Sequence, residues 1–336
     1  MSMYVLKPGL LTTVQDIGRY GYQKLGVVVG GAMDKLALRM INILIGNDED
    51  AAVLELTQQG PEIRFDAEAL IALGGADLSA SIDEEPVRLW RPVLVKAGSI
   101  LRFGKPLLGN YGYLAVAGGV AVPKVMQSRA TYLRAGIGGL QGRALKSGDE
   151  LQVGEYNETN RAILSELLLH NSNAAFTEAS WSPDPELLPD YEESPVLRAM
   201  RGTEYDLFSE NSQGYIWKDK FNVTVHSDRM GFRLQGTVLA LEQEAELLST
   251  AVNYGAVQVP AGGNPIILMA DAQTTGGYPR IAQIISADLP KLAQVQPNKA
   301  IRFTEVSLEE AQLLYFKQEQ DIKALKQAIH FKQQQA

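Results

Sequence analysis

No cysteine occurs anywhere in the 336 residues. Disulfides, thiolate metal sites and a cysteine nucleophile are therefore excluded outright. Histidine is almost as scarce. Only His170, His226 and His330 are present, none near another in sequence, so a histidine-rich zinc site is not expected. No block of Lys and Arg appears and the formal net charge is −8, which argues against a nucleic-acid partner because phosphate affinity rests on clustered cations. No apolar run approaches the ~20 residues that cross a bilayer. The opening MSMYVLKPG lacks the charged-then-apolar order of a signal peptide. The expectation is a cytoplasmic protein that engages neither membrane nor nucleic acid. Several catalytic signatures are missing as well. There is no G-x-x-x-x-G-K-[ST] phosphate loop, since the only Gly-Lys pair, Gly104-Lys105, is followed by Pro106. There is no G-x-S-x-G nucleophile elbow and no H-E-x-x-H zinc motif. The glycines Gly136, Gly138, Gly139 and Gly142 miss the dinucleotide-binding spacing.

What is present is an ordinary globular composition, 46% hydrophobic and 21% charged. The length is large for one core and suggests two domains. Most of the chain reads as short apolar runs punctuated by Gly and Pro: Leu70 to Leu73, Ile100 to Phe103, Tyr113 to Ala117, Phe221 to Val225, Ala256 to Val259, Ile266 to Met269 and Ile281 to Ile285. Runs this short, bounded by turn formers, predict strands. Three helices interrupt them. One is capped by Asp34 and stops at Gly46-Asn47; a second covers roughly Thr159 to His170. The third opens with the capping box Ser307/Glu310 and runs to about Phe331. Its Leu308, Ala311, Tyr315, Ile322, Leu325 and Ile329 form one apolar stripe, which predicts docking within the chain over partner binding.

The stretch NSNAAFTEASWSPDPELLPDYEESP carries four prolines and several acids without periodicity, as a linker or mobile loop does. On either side of it there is a faint echo. Gly98-Ser-Ile-Leu-Arg-Phe103 resembles Asn298-Lys-Ala-Ile-Arg-Phe303, and Ala76-Asp77 resembles Ala270-Asp271, each after an apolar run. The echo hints at a tandem duplication. The chain thus divides into a first β domain over 1–170, a linker or mobile loop over 171–195, a second β domain over 196–306 and a C-terminal amphipathic helix over 307–336. Two β-rich barrels or sandwiches are the expected architecture.

Five polar clusters carry candidate chemistry, and each has a plainer competitor. Asp16 and Arg19, flanked by Gly18 and Gly21, offer a carboxylate and a guanidinium fork for a small acid or amide; the competitor is a surface ion pair in a turn. Gly30-Gly31-Ala32-Met33-Asp34 leads into a helix N-terminus able to hold an anion, although Asp34 as a cap would occupy that position. Arg129, Arg134 and Arg143 lie in a glycine-rich segment that could grip carboxylate or phosphate, or form a solvated basic loop. Ser227, Asp228 and Arg229 follow a strand and echo the Asp16–Arg19 segment, while neighbouring His226 reads as a satisfied, partly buried histidine before it reads as a base. Last, MADAQTTGGYPR follows the run Pro265 to Met269. There Asp271 could act as general base or orient a nucleophile, and Thr274 and Thr275 offer hydroxyls. Gly276-Gly277 lets backbone N–H groups approach an oxyanion. Taken alone, this stretch reads as a turn.

Taken in order, the segments resemble a known family. Leu6-Lys-Pro-Gly-Leu-Leu-Thr-Thr-Val-Gln-Asp-Ile-Gly-Arg19, Gly-Ala-Met-Asp34, Ser-Arg-Ala-Thr-Tyr132, Ser-Asp-Arg-Met-Gly-Phe-Arg-Leu234 and Gln-Thr-Thr-Gly-Gly-Tyr-Pro279 follow the pattern of the biotin-dependent carboxyltransferase-like family, also called allophanate hydrolase subunit 2 or KipA-like. The resemblance runs from about residue 4 to 306. The sequence departs from that pattern at Gly30, Gln127 and Ala272, where Ser, Gly and Arg are usual.

The resemblance implies a mainly β fold with a few helices, built as two cyclophilin-like β-barrel domains in tandem with the active site between them. It also implies a choice of activity. Stand-alone bacterial members join a KipI-like subunit and a barrel-type subunit to cleave 5-oxo-L-proline to L-glutamate with ATP. KipA-like members also antagonise the sporulation-kinase inhibitor KipI by binding it. In urea amidolyase the equivalent region moves CO₂ from carboxybiotin to urea. There is no Met-Lys-Met biotinylation motif, so biotin is not expected on this chain, and ATP would be used by the complex without a P-loop here. The implied catalytic residues are Asp271, Thr274 and Thr275. The implied substrate-binding residues are Asp16, Arg19, Asp34, Arg129, Asp228, Arg229, Gln258, Gly276, Gly277 and Tyr278, acting on a small amide or lactam.

Overall fold

The computed structural model describes residues 1–169, 174–243 and 245–334, except the side chains of 333 and 334. His170, expected at the end of the second helix, lies outside the described residues. The chain forms two compact units. The first comprises Met1–Gly18, Asp34–Pro189 and Gln320–Ala336; the second comprises Arg19–Met33 and Asp190–Glu319. Each is mainly β, and every apolar run expected as a strand contributes to one.

The first unit holds two six-stranded antiparallel sheets. One runs in the order Glu150–Gln152, Ser2–Lys7, Glu62–Phe65, Ile100–Arg102, Ser81–Ile82 and Glu85–Pro86; the other runs Phe176–Glu178, Pro92–Val95, Ala69–Asp77, Leu108–Val116, Val53–Thr57 and Leu11–Gln15. Met3, Val5, Leu54, Leu56, Phe65, Ile71, Leu73, Leu114 and Val116 form one apolar cluster. The strand Ala69–Asp77 is buried along almost its whole length, as its unbroken apolar run requires. Its other face lies under helix α1, Lys35–Leu44. There Ile41 passes so close to Gly74 that a Cβ would come within 2.5 Å of Ile41 Cγ2.

Helix α1 begins as its sequence dictates. The Asp34 side chain accepts a hydrogen bond from Ala37 N at 2.9 Å, and the helix ends before Gly46, whose φ of +78° suits glycine. Helix α2 covers Glu158–Leu169. Two short helices, α3 (Glu210–Lys218) and α4 (Leu289–Ala293), had no readable signature. The first buries only Ser212 and Ile216, and the second is a single turn. Helix α5, Leu308–Gln334, starts with its capping box formed: Ser307 N donates to Glu310 Oε2 at 2.8 Å and Glu310 N to Ser307 Oγ at 3.1 Å. Its expected stripe is buried at Ala311, Ile322, Leu325 and Ile329 but open at Leu308 and Tyr315, which are 55% and 48% exposed.

The stretch expected as a linker is partly ordered structure. Phe176–Glu178 adds an edge strand beside Val93–Val95, and Pro185–Leu187 forms a 3₁₀ turn capped by Asp184. Three residues are too few for an alternating pattern to register in sequence.

The second unit closes into a seven-stranded barrel in the order Val196–Arg201, Arg280–Ile284, Ala256–Gln258, Ile266–Leu268, Gly231–Gln235, Phe221–Val223 and Ala300–Glu305. Parallel pairing of Val196–Ala199 with Arg302–Glu305 shuts the ring, which removes exposed strand edges. Leu197, Phe221, Phe232, Val257, Ile267, Ile281, Ile301 and Phe303 are buried, with the rings of Phe221 and Phe303 6.0 Å apart. The segment Arg19–Met33 groups with this unit, where Gly30 N donates to Ala270 O and the Tyr254 hydroxyl to Met33 O.

Truncating Phe303 to Ala in this barrel is expected to cost about 3–5 kcal/mol, read by urea unfolding. A second expectation concerns Glu204. Hydrogen bonds from Arg280 hold its carboxyl below the ordinary carboxylate value, against the opposing effect of burial. A depressed carboxylate pKa stabilises the fold above the unfolded value near ~4.3 and loses that contribution as pH falls through the folded value. The stability gap between wild type and Glu204→Gln, about 1 kcal/mol or less for a pair this close to solvent, is therefore expected at pH 7 and should close in acid.

Candidate functional site

The second unit brings three of the expected residues together. Antiparallel pairing between Gly231–Gln235 and Ile266–Leu268 continues past the strand ends, with Met269 N donating to Met230 O and Asp271 N to Arg229 O. That extension sets Asp271 opposite Arg229. The carboxylate takes the guanidinium as a fork, Nε to Oδ2 at 2.8 Å and Nη2 to Oδ1 at 3.0 Å, and Nη2 also donates to Gly31 O at 2.6 Å. Asp228 does not face this pair. Its Oδ1 accepts from Met230 N and Gly231 N, which builds the tight turn that aims Arg229 inward.

Arg19 arrives from the other segment of the unit and is fully buried. A Cβ on Gly30, whose φ is +62°, would lie 3.3 Å from Arg19 Nη1 and 3.4 Å from Asp271 Oδ1. Glycine there lets both charged groups close onto the backbone. Two guanidiniums and one carboxylate, at 0%, 7% and 4% exposure for Arg19, Arg229 and Asp271, thus surround Gly30-Gly31. Both oxygens of Asp271 are held by Arg229, so the geometry supports a positioning and electrostatic role for this carboxylate over that of a free base.

The Thr-Thr-Gly-Gly stretch is a different object. Thr275 and Gly276 pair with Ala251 and Thr250 as a two-stranded ribbon, and Val252 N donates to Thr274 O. Thr275 is exposed and Thr274 half-buried. Gly276 passes close over buried Gln258, where a Cβ would meet Gln258 Nε2 at 2.6 Å. Gly277 lies against the Leu247–Ser249 backbone, and Tyr278 is half in solvent. Asp271 and this ribbon are adjacent in sequence but differ in environment, one buried and one open. His226, expected to be partly buried, is exposed.

In the first unit Asp16 and Arg129 meet. The Asp16 carboxylate accepts from Gly18 N at 2.8 Å, Ser128 Oγ at 2.7 Å and Arg129 N at 2.5 Å, so it organises the Ser128-Arg129 turn instead of forming the simple i, i+3 pair with Arg19. Arg129 Nε donates to Val122 O. The three arginines of that region do not converge. Arg134 is exposed, and Arg143 forms a bidentate pair with Asp149 at 2.7 and 2.8 Å. Asp16 and Arg129 instead border a cleft of ≈ 430 Å³ shared with Asp48, Asp50, Gly118, Gly119, Lys124 and Glu155.

Asp34 serves as the helix cap, fully buried. Its N–H donates to the Tyr113 hydroxyl at 2.8 Å, which in turn donates to Glu55 Oε2 at 2.8 Å. Burial pushes the Tyr113 phenol well above its usual value, with the Glu55 and Asp34 charges adding to the effect. Neither Tyr113 nor Glu55 was singled out in sequence, because each lies within an ordinary strand pattern. A polar residue at an inward strand position was the one available signal. Among the described residues no group of His, Asp and Glu has the arrangement of a metal site, and no helix is long and apolar enough to cross a membrane.

Comparison with known proteins gives a consistent picture. The family model for the carboxyltransferase domain, subdomain A and B, matches residues 25–305. The 5-oxoprolinase C-subunit of Haemophilus influenzae is 43% identical over 307 residues, covering 91% of this chain and 92% of that protein. The protein of the same name from Escherichia coli is 41% identical over 309 residues with the same coverage. Among solved structures, the Kluyveromyces lactis urea amidolyase matches with a TM-score of 0.86 at 29% identity. That match covers 96% of this chain and 20% of that one, so the chain spans about a fifth of its length.

The buried fork makes a direct expectation. Arg229→Met or Asp271→Asn alone strands a charge away from water and should cost about 3–5 kcal/mol, while the double variant should cost clearly less than the sum. A double-mutant cycle by denaturant unfolding measures the difference.

Proposed function

The chain belongs to the carboxyltransferase-domain family, subdomains A and B, and from that premise we propose that it is the C-subunit of an ATP-dependent 5-oxoprolinase, cleaving 5-oxo-L-proline to L-glutamate with a KipI-like subunit and a barrel-type subunit. The observation that carries this reading is the likeness to two proteins named as the C-subunit of 5-oxoprolinase, at 43% and 41% identity over nearly the whole of both partners in each comparison. A γ-lactam is an amide whose resonance resists attack, so the chemistry needs positive charge and N–H donors where the carbonyl oxygen becomes an oxyanion. In this reading the Arg19–Arg229–Asp271 cluster supplies fixed charge beside Gly30-Gly31. The Thr274 to Gly277 ribbon supplies hydroxyl and backbone donors at the surface. Asp271 keeps the Arg229 fork in one orientation.

Among the described residues the polar cleft of the first unit sets Asp16, Asp48, Asp50 and Glu155 against Lys124 and Arg129, which does not suit a triphosphate. No step is assigned to ATP on this chain.

The fold likeness to urea amidolyase favours a second reading, carboxyl transfer from a carboxybiotin carried by another protein to urea or a related amide. The two separate in one experiment. Reconstituted with the KipI-like and barrel-type subunits, the chain should be required for ATP-dependent glutamate formation. Arg229→Lys, which keeps charge but loses the fork, should lower kcat by about 10²-fold. Glutamate formation that is unchanged on omitting the chain, or that proceeds undiminished in an Asp271→Ala, Thr275→Ala variant, would overturn the assignment. Carboxybiotin-dependent carboxylation of urea by the chain would favour the second reading.

A further inference from the structure

The cleft of the first unit plays no part in the lactam chemistry proposed for this chain, and its charges are distributed in an unusual way. Its floor is finished: Asn47 Oδ1 accepts from Gly118 N and Asn160 Nδ2, and Asn157 and Asn160 bond each other through N–H and Oδ1. The rim is not. The Lys124 ammonium and the carboxylates of Asp48, Asp50 and Glu155 make no hydrogen bond or ion pair with any other described residue, and the Arg129 guanidinium donates only through Nε, leaving both Nη groups over. Backbone hydrogen bonds fix two strips of this rim. Val120 N to Ala52 O fixes the Asp48–Ala52 turn on one strip, and Arg129 N to Asp16 fixes the guanidinium on another.

A second observation concerns the Val125–Ser128 turn, closed by hydrogen bonds in both directions at 2.8 and 3.2 Å. Its two central residues, Met126 and Gln127, have φ of +51° and +62°, a conformation that glycine or asparagine adopts without strain. Gln127 nevertheless carries a side chain, and the residue lines the cleft. Strain kept beside a cavity points to a use for the strained residue.

We propose that this cleft binds a free α-amino acid, the carboxylate on Arg129 and Lys124 and the ammonium among Asp48, Asp50 and Glu155. Its ≈ 430 Å³ lies at the small end of the ~300–1,000 Å³ range of ligand sites, a metabolite's size. A dicarboxylate or a nucleotide would meet three unpaired acids. A zwitterion meets both signs. The inference stands independently of the 5-oxoprolinase reading, because it concerns binding by this chain alone.

Titration calorimetry on the full chain tests it with four probes: L-glutamate and L-lysine, which carry the ammonium, and glutarate and 5-oxo-L-proline, which do not. Both amino acids are expected to bind at least about tenfold more tightly than glutarate or 5-oxo-L-proline. A preference for L-glutamate would identify the cleft with the product of the proposed reaction, and a preference for L-lysine with a separate effector. Asp48→Asn with Asp50→Asn, and separately Lys124→Met, should each weaken binding by about tenfold with an unchanged far-UV spectrum. Gln127→Gly should raise the melting temperature while weakening the ligand. Glutarate binding as tightly as L-glutamate, no binding of either amino acid, or unchanged affinity in the double variant would overturn the proposal. The reconstituted reaction can fail without moving any of these readouts.

Discussion

A carboxylate taken out of water must find donors or opposite charge, and this constraint governs the polar architecture of both units. Asp271 is 4% exposed and holds the Arg229 fork; Asp16 takes three donors from two stretches of chain far apart in sequence; Asp288 is gripped by Arg198 through backbone and guanidinium together. Each of these acids ties together two segments distant in sequence. Removing one would untie two segments at once.

The barrel explains how such a pair can be held. Strand pairing between Gly231–Gln235 and Ile266–Leu268 sets a register, and its continuation through Met269 N to Met230 O, followed by a one-residue shift, places Asp271 N on Arg229 O. The side chains add a fork to a contact the backbone has already made. Gly30 completes it, since a Cβ there would crowd Arg19 and Asp271 together. A rigid frame with buried charge suits electrostatic catalysis on a resistant amide better than proton shuttling.

The first unit also carries charge in the open, on the rim of its cleft. Its core is two apolar sheet faces and a capped helix, whose tightest polar contacts (Asp34, Tyr113 and Glu55) are internal and satisfied. The rim of its cleft is left with unpaired groups of both signs over a bonded asparagine floor. The contrast is physical: the buried carboxylates of this unit are held by hydrogen-bond donors, and the unpaired charges of the rim are exposed.

How much of this was legible beforehand depends on the length scale of the signal. Strands such as Tyr113 to Ala117, the Asp34 cap, the Gly46 stop and the Ser307/Glu310 box could be read because each is decided by neighbours within a few residues. The family pattern could be read for the same reason, as a series of local strings. Helix α3 and the strand Phe176–Glu178 could not, because tertiary packing outweighs weak or very short local patterns. The site divided along the same line. Sequence named Asp16, Arg19, Asp34, Arg129, Asp228, Arg229 and Asp271, all residues with tightly placed side chains, but it grouped them by adjacency. Only the folded chain separated Asp16 from Arg19 into different units, turned Asp228 into a turn, and joined Arg229 to Asp271 across 42 residues. Sequence determines which groups are able to make strong contacts. Which of them meet is settled by strand register and loop closure, which act over distances that no local pattern records.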